Sequence, residues 1–162
     1  MPAGHGKPGP YDAHVDDSFF DHVRNATEGF VGGIAGVRHA SAHSRGVKVW
    51  FADATREHYE AQLIHDGNAT KLEIGFHAEH PNGAQNDAVL KHLLSLEPTW
   101  RTDLGNEAET GPFIGRKGWT RISECWEPPA AASIDEAIEV AARLADYVNA
   151  LEPLRRERPQ TG

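Results

Sequence analysis

Hydrophobic residues recur along this chain with two periods, and each change of period marks a new element. Phe19, Phe20, Val23, Thr27, Phe30 and Val31 follow one another at helical spacing, with Asp17 or Ser18 placed to cap the first turn. The pattern fades in GFVGGIAG, where four glycines make a longer helix costly. At 47–53 the period drops to two, and Val47, Val49 and Phe51 share one side of a predicted strand.

A hairpin follows. HYEAQLIH (58–65) and TKLEIGFH (70–77) both alternate, and DGNA (66–69) between them carries an Asp-Gly turn pair. This register sets Leu63 against Leu72, Ala61 against Ile74 and Tyr59 against Phe76, all on one side. A one-residue slip would scatter that apolar set over both faces. On the opposite face the same register brings His58 against His77, with Glu60 and Glu73 nearby. A two-residue turn is expected to keep the faces but make the histidines diagonal neighbours.

Helical spacing returns in NDAVLKHLLSLE, with Asn86 or Asp87 as the expected cap. Pro98 ends or restarts this helix, and TWRTDLG adds a turn or two up to Gly105. NEAETGP reads as an irregular acidic loop. FIGRKGWTRISECWEP reads as a short strand, a Gly-Arg-Lys-Gly turn and a longer strand over 119–126. The last helix opens on a Ser133-x-x-Glu136 capping box. It carries the stripe Ile134, Ala137, Ile138, Ala141, Leu144, Ala145, Val148 and Leu151 and is expected to end at Pro153. The predicted fold is therefore α+β, in the order α-β-β-β-α-β-β-α. An antiparallel sheet of about four to five strands carries its helices on one face.

Composition sets the limits of this domain. Residues 1–13 and 155–162 are rich in breakers or charge and read as disordered tails, leaving one domain over 14–154. A net charge of −8 argues against a nucleic-acid partner. Arg38, His39, His43, Arg45 and Lys48 form a basic island, expected as a solvated loop rather than an anion site. The single cysteine, Cys125, excludes an internal disulfide and a cysteine-rich zinc site, and reads as a buried hydrophobe. No signal sequence or membrane span is evident, so a cytoplasmic location is expected.

The stretch GFHAEHP (75–81) carries the densest candidate chemistry. His77-Ala78-Glu79 matches half of the zinc deaminase signature, but the Pro-Cys-x-x-Cys half is absent. The zinc-protease spacings are absent too, and the helices after the motif suit the oxygenase iron triad poorly. The glycine cluster at 29–36 lacks phosphate-loop spacing. What remains is a cross-strand metal set: His58 and His77 with Glu60 or His80, presented to Zn²⁺ or Ni²⁺. Its plain alternative is the polar edge of a sheet. A second candidate is Arg116, Trp119 and Arg121, able to hold an anionic ligand or an acidic segment of a partner.

Two function classes follow. The leading expectation is a non-catalytic module that binds a protein, peptide or small ligand without a cofactor. It would be homodimeric through an exposed sheet face or the alanine-rich last helix. In order of elements alone it resembles the small acidic dimeric secretion chaperones, a likeness that carries over no functional residue. The alternative is a small His/Glu acid-base or metal-dependent enzyme, with Zn as the expected metal, using His58, His77, His80 and Glu60.

Overall fold

A computed structural model describes residues 17–113 and 116–159. The N-terminal tail expected over 1–13 lies outside the described residues. The elements are α1 (Asp17–Phe30), β1 (Arg38–His43), β2 (Gly46–Phe51), β3 (Glu57–Asp66), β4 (Ala69–Ala78), α2 (Gly83–Leu94), α3 (Glu97–Leu104), β5 (Glu109–Pro112), β6 (Thr120–Trp126) and α4 (Ile134–Arg156). The fold is α+β: a six-stranded antiparallel sheet in the order β1-β2-β3-β4-β6-β5, with α1 and α4 packed against it.

The β3–β4 ladder has the predicted register, including Tyr59–Phe76, Ala61–Ile74, Leu63–Leu72 and His58–His77. Its turn is tighter than DGNA, because Asp66 pairs with Ala69. That pair simply adds a rung to the same ladder, so the histidines stay directly opposite rather than becoming diagonal. The apolar side of the ladder meets Phe19, Phe20 and Val23 of α1 and Ala141, Leu144, Val148 and Leu151 of α4 in one buried core.

Six strands replace the expected four to five because a segment expected as a solvated loop contains a strand. The island from Arg38 to Lys48 is mostly the β1–β2 hairpin. RHASAH lacks the β-branched residues that announce a strand, yet Ala40 and Ala42 pack against the core. The short strand before β6 is Glu109–Pro112, within the segment expected as an acidic loop, and Phe113 follows it. Helix α2 begins three residues before the expected cap, where Asn82 Oδ1 accepts from the Ala84 N–H at 2.9 Å. Asn86 is instead buried, accepting from the His80 N–H and donating to the carbonyls of His80 and Gly118.

Helix α4 has the capping box in full. It does not stop at Pro153, which sits inside the helix; Arg155 and Arg156 continue it and pair with the buried Glu152 carboxylate. Residues 155–159, expected as tail, therefore belong to the described structure, and Arg155 and Arg158 both reach Glu57. Ile134 and Ile138 of the predicted stripe are exposed, while Val140 and Tyr147 are buried in their place. Cys125 is exposed, not buried: it shares the polar side of β6 with Arg121 and Ser123. Among the described residues no helix is long and apolar enough to cross a membrane.

Candidate metal centre

Alternation along β3 and β4 turns Tyr59, Ala61, Ile74 and Phe76 toward the helices. The same alternation turns His58, Glu60, Glu73 and His77 toward the other face. Such a face is usually wet, but here His58, Glu73 and His77 are fully buried and Glu60 nearly so. Part of the cover is aromatic. The Phe113 ring stands edge-on to His77 with centroids 4.7 Å apart, and Trp119 stands edge-on to Phe113.

Each imidazole is fixed by a partner on the side away from the cluster. His58 Nδ1 lies 2.9 Å from the Thr55 carbonyl oxygen, which can only accept, so Nδ1 carries the proton. His77 Nε2 donates to Glu73 Oε2 at 2.8 Å, and Glu73 also accepts from Ser123 Oγ at 2.8 Å and Gln62 Nε2 at 3.1 Å. These contacts leave His58 Nε2 and His77 Nδ1 aimed inward, where Glu60 and Glu79 meet them. Glu60 Oε1 lies 3.1 Å from His58 Nε2 and 3.2 Å from His77 Nδ1. Glu79 Oε2 lies 3.4 Å and 3.5 Å from the same two nitrogens. Gly75, directly across from Glu60 on β4, adds no side chain to this space.

The electrostatics follow from three carboxylates around two imidazoles. Burial alone would lower the His77 pKa, but Glu73 and Glu60 outweigh it and hold the ring at about 10. For His58 burial also works downward, and Glu60 and Glu79 carry the value above its ordinary range. Burial would raise Glu60, yet the two imidazoles keep its carboxyl far below the usual carboxylate range. Without a metal, then, the protons on the two rings offset part of the negative charge of the carboxylates around them.

The same atoms form a candidate ligand set. One donor atom from each of His58, Glu60, His77 and Glu79 lies within 4.8 Å of all the others. The edge of a tetrahedron with zinc bonds of 2.0–2.1 Å is about 3.3–3.4 Å. The four histidine–carboxylate distances, 3.1 to 3.5 Å, bracket that edge. The Thr55 carbonyl and the Glu73 carboxylate hold the rings as the supporting partners of metal-bound histidines do.

Three of the four residues expected to bind metal thus come together: His58, His77 and Glu60. His80 does not join them. It faces the other way, with Nε2 at 2.6 Å from Glu57 Oε2, beside Arg155. Glu79 takes its place, and strand alternation is the signal that would have chosen it, since residues two apart share a face. The sequence places Glu73 only as a neighbour of the pair and gives no sign of Thr55, whose contribution is a backbone carbonyl.

The second expected set separates. The Arg116 guanidinium lies over the Trp119 ring, 4.5 Å from its centroid, and Trp119 is partly exposed. Arg121 is buried next to His77 in the β4–β6 ladder and donates to Ser123 Oγ and Glu109 Oε2. It therefore buttresses Ser123, and through it Glu73, instead of reaching outward. No protein family, curated protein or solved structure matches the chain.

Proposed function

We propose that the chain is a divalent-metal protein. His58 Nε2, His77 Nδ1 and Glu60 would supply three fixed ligands, and Glu79 a fourth at the rim. One observation carries this reading. Both imidazoles are oriented from behind, by Thr55 and Glu73, so that their inner nitrogens converge with two carboxylates, each nitrogen 3.1 to 3.5 Å from both carboxylate oxygens.

This is the metal-dependent class of the two that the sequence left open. Glu79 lies just past the end of β4 and is the most accessible of the four side chains, at 13%. It is the ligand best placed to give up a position to a small molecule, while the three strand residues stay fixed. A bound ion of this kind supplies Lewis acidity and makes a bound water more acidic. Of the surfaces expected for self-association, the alanine-rich face of α4 is already buried within the chain at Ala137, Ala141 and Ala145, which leaves the sheet, with β1 and β5 as its edge strands, to meet a second copy.

The test is a zinc titration of untagged protein stripped with a chelator. One tightly held equivalent is expected. His58→Ala and His77→Ala should lose it, whereas His80→Ala should keep it, since His80 faces Glu57. An untagged chain that takes up neither Zn²⁺ nor Ni²⁺ would sink the proposal.

A further inference from the structure

A cavity of about 320 Å³ opens on the polar side of β1 and β2, lined among the described residues by Ser41, His43, Lys48, Trp50 and Thr55. That volume is at the small end of ligand pockets. The cavity adjoins the candidate metal centre at two points. Lys48 is the cross-strand partner of Glu60, and Thr55 holds His58 through its carbonyl. Trp50 and His58 stand one position beyond the Val49–Tyr59 rung of the same ladder.

The lining is chemically one-sided. None of these five residues is acidic, although the chain as a whole carries a net charge of −8. Lys48 is half-buried, and its ammonium makes no hydrogen bond or ion pair with the described residues. Its nearest cross-strand acid, Glu60, is turned to the two imidazoles instead. Trp50 adds an aromatic wall, stacked with His39 at 5.3 Å between centroids. An unpaired ammonium beside an indole, next to a cation site, recognises an oxyanion on a flat apolar body.

We infer that this cavity binds a small carboxylate- or phosphate-bearing molecule with a flat body, its oxyanion held by Lys48 beside the metal centre. The inference rests on the metal reading for the cation that neighbours the cavity past Lys48 and Thr55, but Lys48 and Trp50 carry the recognition themselves.

Benzoate and phenyl phosphate are suitable probes, titrated into zinc-loaded and into metal-free protein while the Trp50 indole N–H is followed by NMR. Saturable shifts of Trp50 are expected in the zinc-loaded chain. Lys48→Met should weaken binding about tenfold or more, the scale of one charge-assisted hydrogen bond, and the stronger probe identifies the headgroup. Zinc uptake measured on the same samples separates the two readings. If one equivalent of zinc binds but neither probe moves Trp50, or Lys48→Met binds as tightly as the parent, the cavity inference is overturned and the metal reading stands. If zinc does not bind, Lys48-dependent probe binding to the metal-free chain upholds the cavity inference alone, and its absence ends both.

Discussion

Glu73 touches none of the inner ligand atoms, yet it decides what His77 can offer. By accepting from Nε2 it fixes the ring so that Nδ1 faces Glu60 and Glu79. Glu73→Gln keeps the shape but removes the charge, and is expected to weaken zinc affinity by roughly 10- to 100-fold. Competition against a chromophoric chelator measures this; an unchanged affinity in a folded variant would show that Glu73 plays no supporting part. The residue scale is also where a one-position difference matters most. Glu79 and His80 are adjacent, and alternation sends the first to the cluster and the second to Glu57. Both were visible in the sequence; only the direction of each side chain separates them.

At the scale of elements, the close approach of β4 and β6 depends on Gly75. A Cβ there would stand 2.3 Å from the Ile122 carbonyl oxygen and 2.5 Å from Ser123 Cα, both backbone atoms of β6, which is paired on both sides. Gly75→Ala must push the strands apart, and a loss of about 1–3 kcal/mol is expected by analogy with overpacked cores. The denaturation midpoint measures it, and a midpoint equal to the parent's would contradict the close approach. Helix α4 offers a milder comparison. Ser133 Oγ accepts the Glu136 N–H at 3.1 Å and Glu136 returns the bond to the Ser133 N–H at 2.9 Å. Ser133→Ala is expected to cost about 1 kcal/mol in the same measurement. The cap was legible because its four-residue motif is local. Strand β1 was not, because its alanines become apolar contacts only when α1 lies over them.

For the whole molecule, the balance of protons and metal gives stability opposite pH trends in the two states. Without metal, the folded His77 has its pKa raised to about 10 by Glu73 and Glu60 against the effect of burial. A raised value means the folded state binds the proton more tightly. Its contribution is fully present below the unfolded value of about 6.5 and is lost as pH rises through about 10. The thermal midpoint of metal-free protein, measured relative to a His77→Gln variant, should therefore fall across that window. Zinc requires both inner nitrogens to be deprotonated, so the stabilisation it brings should grow as pH rises over the same range. A metal-free difference that stays flat from pH 6 to 10 would contradict an ionised His77.

The sequence by itself determined the hairpin register, the two faces of β3 and β4, the opposition of His58 to His77, and the start of α4. Those features follow from short-range periods and turn chemistry, each within about twenty consecutive residues. Tertiary structure decided the rest. It buried the polar face, turned Arg121 inward to Ser123, left Cys125 exposed, and carried α4 through Pro153 on the Glu152 ion pairs. It also assembled the supporting contacts of the centre from Thr55, Glu73 and Ser123, which lie far apart in the chain. Alternation along a strand names the side a residue takes, but whether that side is wet or sealed depends on which distant segments cover it.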